Sequence, residues 1–483
     1  MKIFLALALC LAAAGAQARE PEVAGKFYPA GGLELSAFVD AALAAADVKK
    51  PEGKVIAVVA PHAGYEYSGK VAGYAYKVIA DAYDTVVILA AGHRTGVKGA
   101  ALLASGYYAT PFGRVPIDEE LSRALIKANP LFEDNPAAHA GEHAVEVQLP
   151  FLQRRLKKPF KLVAATLNTD DLKDLKLMGS VLAAALKGKK ALIVVSADFS
   201  HYPSHEVAGL SDRTVALAME SMDPAFVLTA ERVLMSKRLP GLETCACGSA
   251  AIITAMEAAR LLGAKNFKTL KYADSYDADP SGGDASRVVG YVAGMFAAGA
   301  AAPPAPASAA QKELMLKEAR AVIGRAFDEK DQPAGLEADP WLNLPAAAFV
   351  TLTKNGALRG CIGTVEPVMT AMDAVRYGAI NAAFRDHRFP ALEAEELPGI
   401  KIEVSLLSRL APIKAADIKP WKHGVVVTRD GKSGLFLPQV WEQLPGKEAF
   451  LGELCEQKAG LPRDCWKDPK TGLFAFTVDA FRE

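Results

Sequence analysis

The chain carries no excess charge of either sign: lysine plus arginine and aspartate plus glutamate stand at 55 each in 483 residues. With no net field to gather polyanions and no basic run long enough to follow a phosphate backbone, nucleic acid is not an expected partner. Past the first twenty residues there is no apolar run approaching the roughly 20 residues that span a bilayer, so no later membrane crossing is expected. The chain has no internal repeat, and only six cysteines and eight histidines. Disorder is excluded by a 51% hydrophobic and 23% charged composition, which is that of a folding globular chain. The length exceeds what one hydrophobic core usually organises, and two domains are expected.

The opening "MKIFLALALCLAAAGAQARE" joins an early lysine to a short apolar segment and then to Ala16-Gln17-Ala18, a small-x-small cleavage pattern. Residues 1–18 therefore read as a signal peptide cut after Ala18, placing the mature chain in the periplasm or another extracytoplasmic space. A lipoprotein at Cys10 is disfavoured by Leu9 before it. The remaining cysteines are 245, 247, 361, 455 and 465, an odd number that leaves at least one unpaired. Cys455 and Cys465 close a short loop and are the expected disulfide, provided their Cα atoms come within about 7 Å.

Composition breaks at "AAGAAAPPAPASAAQ", residues 297–311, which reads as an Ala/Pro-rich linker between domains 20–296 and 312–483. Before it, apolar runs at 55–60, 85–90, 162–167 and 192–195 read as strands. Between them, "SGKVAGYAYKVIADAY" and "LKDLKLMGSVLAAALKG" show the three- and four-residue spacing of amphipathic helices. This alternation predicts an α/β domain with a mostly parallel sheet flanked by helices.

Three of these strands run into polar endings: "VIAVVAPHAGYEYSG" into His62, "TVVILAAGHRT" into His93, and "ALIVVSADFSHY" into Asp198 and His201. The carboxyl ends of parallel strands form the rim where ligands bind. Histidines 62, 93, 139, 143, 201 and 205 all fall in this domain, and imidazole serves either as a metal ligand or as a titrating group. Any one such histidine is more readily a hydrogen-bonded structural residue, but three strand ends together favour a site. In "GLETCACGSAAIITAMEAAR", Cys247-Gly248 leads into a helical run whose N-terminal amides would lower a thiol's pKa. Cys247 is then a ligand or nucleophile, unless Cys245 and Cys247 are simply small buried residues.

The segments "APHAGYEYSG", "GHRT", "GEHAVEVQLPFL", "SADFSHY", "TCACGSAAI" and "SRVVGYVAGMF", in this order, resemble the Memo family over about residues 20–296. The resemblance implies a fold like that of class III extradiol ring-cleaving dioxygenases and a metal site of His62, His93 and Cys247. Asp198, His201, Glu142 and His143 would line the same pocket. Ring-cleaving oxygenases of this kind hold ferrous iron with two imidazoles and a carboxylate. Here a softer thiolate replaces the carboxylate, so iron is the expected metal while copper or zinc would also be accepted. If catalysis occurs, His143 or His201 would act as acid or base, with Asp198 orienting an imidazole.

After the linker, "AAAFVTLTKNGALRGCIGTVEP", "NAAFRDHRFPALEAEEL", "IKIEVSLLS" and "KHGVVVTRDGKSGLFLPQVW" resemble the AMMECR family over residues 312–483, and their alternating strands predict a smaller α+β domain. Within it, Cys361 between Gly360 and Gly363 could be a nucleophile near His387, but a strand bend and a helix end at Asp386 explain the same residues more simply. The two families together resemble the AmmeMemoRadiSam gene set, which implies a radical SAM protein as pathway partner. This chain has no CxxxCxxC run and is not itself that protein.

Two functional classes remain open. One is a metal-dependent, dioxygenase-like oxidoreductase acting on an unidentified small molecule. The other is a non-catalytic metal- or ligand-binding module with a vestigial pocket. A phosphate- or peptide-binding nest at "DPSGGDASR" is weaker than an ordinary surface turn.

Overall fold

The computed structural model describes residues 18–483 except 280, 303 and 331–334. The expected leader, Cys10 included, lies outside the described residues up to residue 17. The chain divides into two compact units, Met1–Glu231 with Arg238–Pro304, and Ala305–Glu483 with Arg232–Lys237. Among the described residues no helix is long and apolar enough to cross a membrane.

The first unit is built on an eight-stranded sheet. Its strands are β1 (Val55–Ala60), β2 (Thr85–Ala91), β3 (Ala100–Leu102), β4 (Phe132–Asp134), β5 (Lys161–Leu167), β6 (Ala191–Ser196), β7 (Asn266–Asp274) and β8 (Gly290–Ala297). Their spatial order is β7-β8-β1-β6-β2-β5-β3-β4. The central run β1-β6-β2-β5 is parallel, as the alternation of strands and helices requires. Antiparallel pairs at β7-β8, β8-β1 and β5-β3 make the whole sheet mixed. Every residue of β1 and β2 is buried, which is why these strands read as unbroken apolar runs: helices cover both faces.

Six helices matter to the site: α1 (Gly32–Ala45), α2 (Tyr65–Lys77), α3 (Leu149–Arg155), α4 (Leu172–Leu186), α5 (His205–Met219) and α6 (Ser249–Leu261). Val58, Ile88 and Leu162 pack with residues of α1, α2 and α3 in one core. Strand side chains alternate, so the opposite face is left for α4 and α6, which pack on each other and, through α6, on β2 and β6. Helix α2 ends at Lys77 rather than continuing through Tyr83. Val78, Ile79 and Tyr83 are still buried, but they reach the core from a turn in which the Ala80 amide donates to the Tyr83 hydroxyl at 3.2 Å.

In the second unit the helix Ala309–Phe327 opens on a capping box of Ser308 and Gln311. With β8 running through Ala297, regular structure thus enters both ends of the Ala/Pro-rich segment. An antiparallel sheet follows, formed by Pro345–Lys354, Ala357–Gly363, Ile400–Leu407 and Val478–Arg482, with the helix Ala371–Phe384 packed on it. A second, four-stranded antiparallel sheet has its own core, into which Cys455 and Cys465 are disulfide-bonded with Cα atoms 6.0 Å apart. The antiparallel sheets and helices make this the smaller α+β domain expected.

Candidate metal centre

Register sets the site. In the parallel centre Ala60 pairs with Ser196 and Ser196 with Ala90, so β1, β6 and β2 finish level with one another. Two residues past the ends of β1 and β2 stand His62 and His93, and two past the end of β6 stands Asp198. Cys247 arrives from elsewhere, at the start of α6. Its amide donates to the Asp198 carbonyl at 3.1 Å. Gly248, the α6 N-cap, makes that approach feasible, because a Cβ there would lie 2.4 Å from the Ala197 Cβ.

One ligand atom each from His62, His93 and Cys247 lie within 4.8 Å of one another. The Cys247 sulfur is 3.2 Å from His62 Nε2. The His62 and His93 rings stand edge to face with centroids 5.1 Å apart, and the His143 ring stacks on His93 at 4.8 Å. Five residues, His62, His93, His143, Glu142 and Asp198, thus form one cluster with Cys247.

The hydrogen bonds around the cluster determine which imidazole nitrogens are free. The Ser196 hydroxyl has one proton, and it goes to the Ala144 carbonyl at 2.6 Å. Gln148 Nε2 donates to Ser196 Oγ at 2.8 Å, with its amide orientation set by the Tyr76 hydroxyl on Oε1 and the Pro61 carbonyl on Nε2. The remaining contact of Ser196 Oγ, His62 Nδ1 at 3.0 Å, must then be an N–H donating to the hydroxyl. His62 Nε2 is left with its lone pair facing Cys247. His93 repeats the pattern: its Nδ1–H donates to Glu142 Oε1 at 3.0 Å, freeing Nε2. Each imidazole therefore has a buried polar partner behind it and a free nitrogen in front, the arrangement that fits histidine ligands of a metal.

Electrostatics favour a neutral imidazole at His62. Burial and the neighbouring His93 hold the His62 pKa down to about 3, and burial together with His62 holds His143 down to about 4. Burial alone would raise Glu142, but bonds from the His93 ring and the His93 and Ala144 amides bring it down to about 2, so it is a carboxylate. The expectation for the thiol is overturned. Burial, with Asp198 and Glu142 nearby, pushes Cys247 well above the ordinary range, outweighing the helix amides. A thiolate here needs a cation to form, as metal ligands generally do.

The other expected pocket residues are present with altered parts to play. Asp198 does not hydrogen-bond an imidazole. Its Oδ1 accepts the His62 and Ala63 amides at 2.7 and 3.3 Å, and its Oδ2 lies 3.9 Å from His62 Nε2. The orienting groups are Ser196 and Glu142 instead. His143 Nδ1 is 3.4 Å from Glu142 Oε1, and His201 Nδ1 donates to the Phe199 carbonyl at 2.9 Å, which leaves His201 Nε2 free. Ser196 and Gln148 were missed from sequence. The available signal was a polar residue closing the apolar run "ALIVVS", and a glutamine in the quoted "GEHAVEVQLPFL".

Two histidines of the segment serve elsewhere. His139 is buried between the Tyr108 hydroxyl and the Ala101 carbonyl. His205 Nδ1 lies 2.6 Å from Asp274 Oδ2, and Asp274 is itself occupied capping the turn at Tyr276 and Asp277. In the "DPSGGDASR" segment, whose Pro280 lies outside the described residues, Asp279 accepts the Ser281 hydroxyl and the Gly282 and Gly283 amides, contacts of an ordinary turn.

In the second unit the Cys361 sulfur accepts from the Thr351 hydroxyl at 3.3 Å rather than pairing with His387. Asp386 accepts the Cys361 amide and Arg388 donates to the Cys361 carbonyl, closing peptide groups that the sheet edge would otherwise expose. A Cβ on Gly360 would lie 2.1 Å from the Ala382 carbonyl oxygen. That glycine serves helix-to-strand packing, which favours the structural reading of this motif.

Residues 19–295 match the family model described as Memo-like protein, and residues 316–481 match AMMECR1. A MEMO1 family protein of Methanopyrus kandleri is 35% identical over 294 residues, covering 58% of this chain and 99% of the relative. Those of Nitrosopumilus maritimus and Aquifex aeolicus are 33% and 35% identical, each over 58% of this chain and over 99% and 98% of their own lengths. The crystal structure of an uncharacterized protein from Pyrococcus horikoshii has a TM-score of 0.33 at 34% identity, covering 36% of this chain and 91% of that one.

Proposed function

The chain belongs to the Memo-like protein family, and from that premise we propose that its first domain is a metal-binding protein holding one transition-metal ion between His62, His93 and Cys247. The observation that carries this reading is the pair of backed imidazoles that offer ligand atoms within 4.8 Å of each other and of one sulfur, His62 Nε2 lying 3.2 Å from it. Two imidazoles and a thiolate form a borderline-soft donor set, with iron the favoured occupant and copper or zinc also matched.

We further propose an oxidoreductase role toward a small molecule. Bound there, such an ion would supply Lewis-acid and redox chemistry. The chain's own residues supply the rest. Ser196 and Glu142 hold the two ligand rings in place. His201, with Nδ1 engaged behind, offers Nε2 to take or give a substrate proton, and His143, stacked on His93 within the cluster, is the second group placed to do so. Asp198 fixes the backbone of His62. The Cys455–Cys465 disulfide supports the export read from the leader, since such bonds persist in oxidising compartments.

The test is metal analysis of anaerobically purified protein, followed by oxygen uptake with phenolic and thiol reductants. Near-stoichiometric metal with oxygen uptake that His143→Ala reduces supports the enzyme. Near-stoichiometric metal with no uptake from any reductant leaves a binding module, and absence of metal removes both.

A further inference from the structure

The opposite ends of the same strands carry a second feature, independent of the metal reading. Where β1, β2 and β6 begin, a groove of about 630 Å³ lies between the loop after α1, the turn after α2, the end of α3 and the residue preceding β6. Its sixteen lining residues include six cations and one acid, Asp81. The same number drawn from a chain with 55 of each sign would include about two of each.

Part of this charge is structural. Lys77 Nζ donates to the Leu43 carbonyl at 3.0 Å and Arg155 Nη2 to the Ile79 carbonyl at 2.5 Å, where helices α1 and α2 end with their negative poles toward the groove. Asp81 is held by Arg155 and by Lys157, at 2.7 and 2.5 Å, and those bonds keep it a carboxylate. The acid and the helix ends are thereby answered. Lys49, Lys50, Lys54 and Lys190 remain, exposed along one concavity and with no hydrogen bond or ion pair of their side chains among the described residues, in a protein of no net charge. An anion in the groove would meet four cations that no acid of the lining already engages. Val48, Pro51, Val78 and Ile79 provide an apolar wall beside them.

We propose that this groove binds a polyphosphate group, free or carried by a nucleoside, with Lys49, Lys50, Lys54 and Lys190 as its charge partners. A small ligand is favoured over a polymer because the volume lies within the roughly 300–1,000 Å³ of small-molecule sites, and the chain has no extended basic track.

The test is calorimetric titration of the full chain with inorganic tripolyphosphate, ATP and adenosine. Chelator is present so that no metal ion mediates, and salt is set at about 50 and about 300 mM because screening must weaken such binding. Tripolyphosphate or ATP is expected to bind with Kd below about 1 mM at the lower salt, and adenosine not to bind. Lys54→Ala with Lys190→Ala is expected to weaken binding about tenfold or more. Lys173→Ala with Lys176→Ala, on the exposed side of α4, is expected to leave it unchanged. Should the first pair not fold, Lys49→Gln with Lys50→Gln in the exposed loop serves in its place. Tighter ATP than tripolyphosphate assigns a nucleotide, and equal affinity assigns the free polyphosphate. No binding of either anion, or equal weakening by the α4 pair, overturns the proposal.

Discussion

Replacing Ser196 with alanine removes the hydroxyl that sets the His62 tautomer while leaving every proposed ligand in place. Three groups lose their partner at once: His62 Nδ1–H, one Gln148 Nε2–H and the Ala144 carbonyl. Ser196 is fully buried, so no water reaches them without rearrangement. Leaving such groups unpaired costs about 1–3 kcal/mol in folding stability. Freed of its partner, the imidazole no longer holds Nε2 on Cys247, and loss of a backing group of this kind weakens metal binding about 10- to 100-fold. That corresponds to about 1.4–2.8 kcal/mol. The assay is anaerobic competition for ferrous iron against chelators of graded affinity, alongside metal-free thermal unfolding to separate folding from binding. Ser196→Thr, which keeps the hydroxyl, should recover most of the affinity. If Ser196→Ala binds iron within about twofold of the parent while still folding, the deduced orientation of His62 has no bearing on the site and the reasoning fails.

Burial pushes Asp212 up to about 8, above the roughly 3.9 of an unfolded aspartate, so the folded state holds the extra proton between those values. Stability should therefore fall as pH rises from about 4 to 8, by at most about 1.4 kcal/mol per unit, and Asp212→Asn should flatten that slope in urea unfolding at several pH values. Removing the disulfide by Cys455→Ser with Cys465→Ser, whose sequence separation is 10, should cost about 3 kcal/mol. Reductant should lower the parent's melting temperature and leave that of the double variant unchanged. Gly248→Ala places a methyl 2.4 Å from the Ala197 Cβ and must shift the start of α6. Iron affinity should fall at least about tenfold, and an unchanged affinity would show that Cys247 is not held by this contact.

The sheet was legible because its signals are local. An apolar run such as Val55–Ala60 is buried on both faces whatever surrounds it, and a strand that stops at a proline and a histidine announces its rim position. The partners behind the ligands are not local. Ser196 reaches Ala144 and Gln148 across about fifty residues of chain, and a hydroxyl at a strand end looks the same whether it orients an imidazole or merely caps a turn. The count of histidines overstated the cluster for the same reason: His139 and His205 share the segment but turn toward Tyr108 and Asp274. For Cys247, the sequence exposed the helix start and so argued for a lowered pKa. Burial beside two carboxylates, visible only in three dimensions, has the opposite sign and prevails.

The most direct measurement is the metal content of the full chain beside His62→Ala, His93→Ala and Cys247→Ser, each purified anaerobically and checked for folding. About one equivalent of transition metal in the parent, and loss of most of it in every variant, is the predicted result. A parent that retains metal undiminished after all three substitutions would contradict a single ion gripped by these side chains.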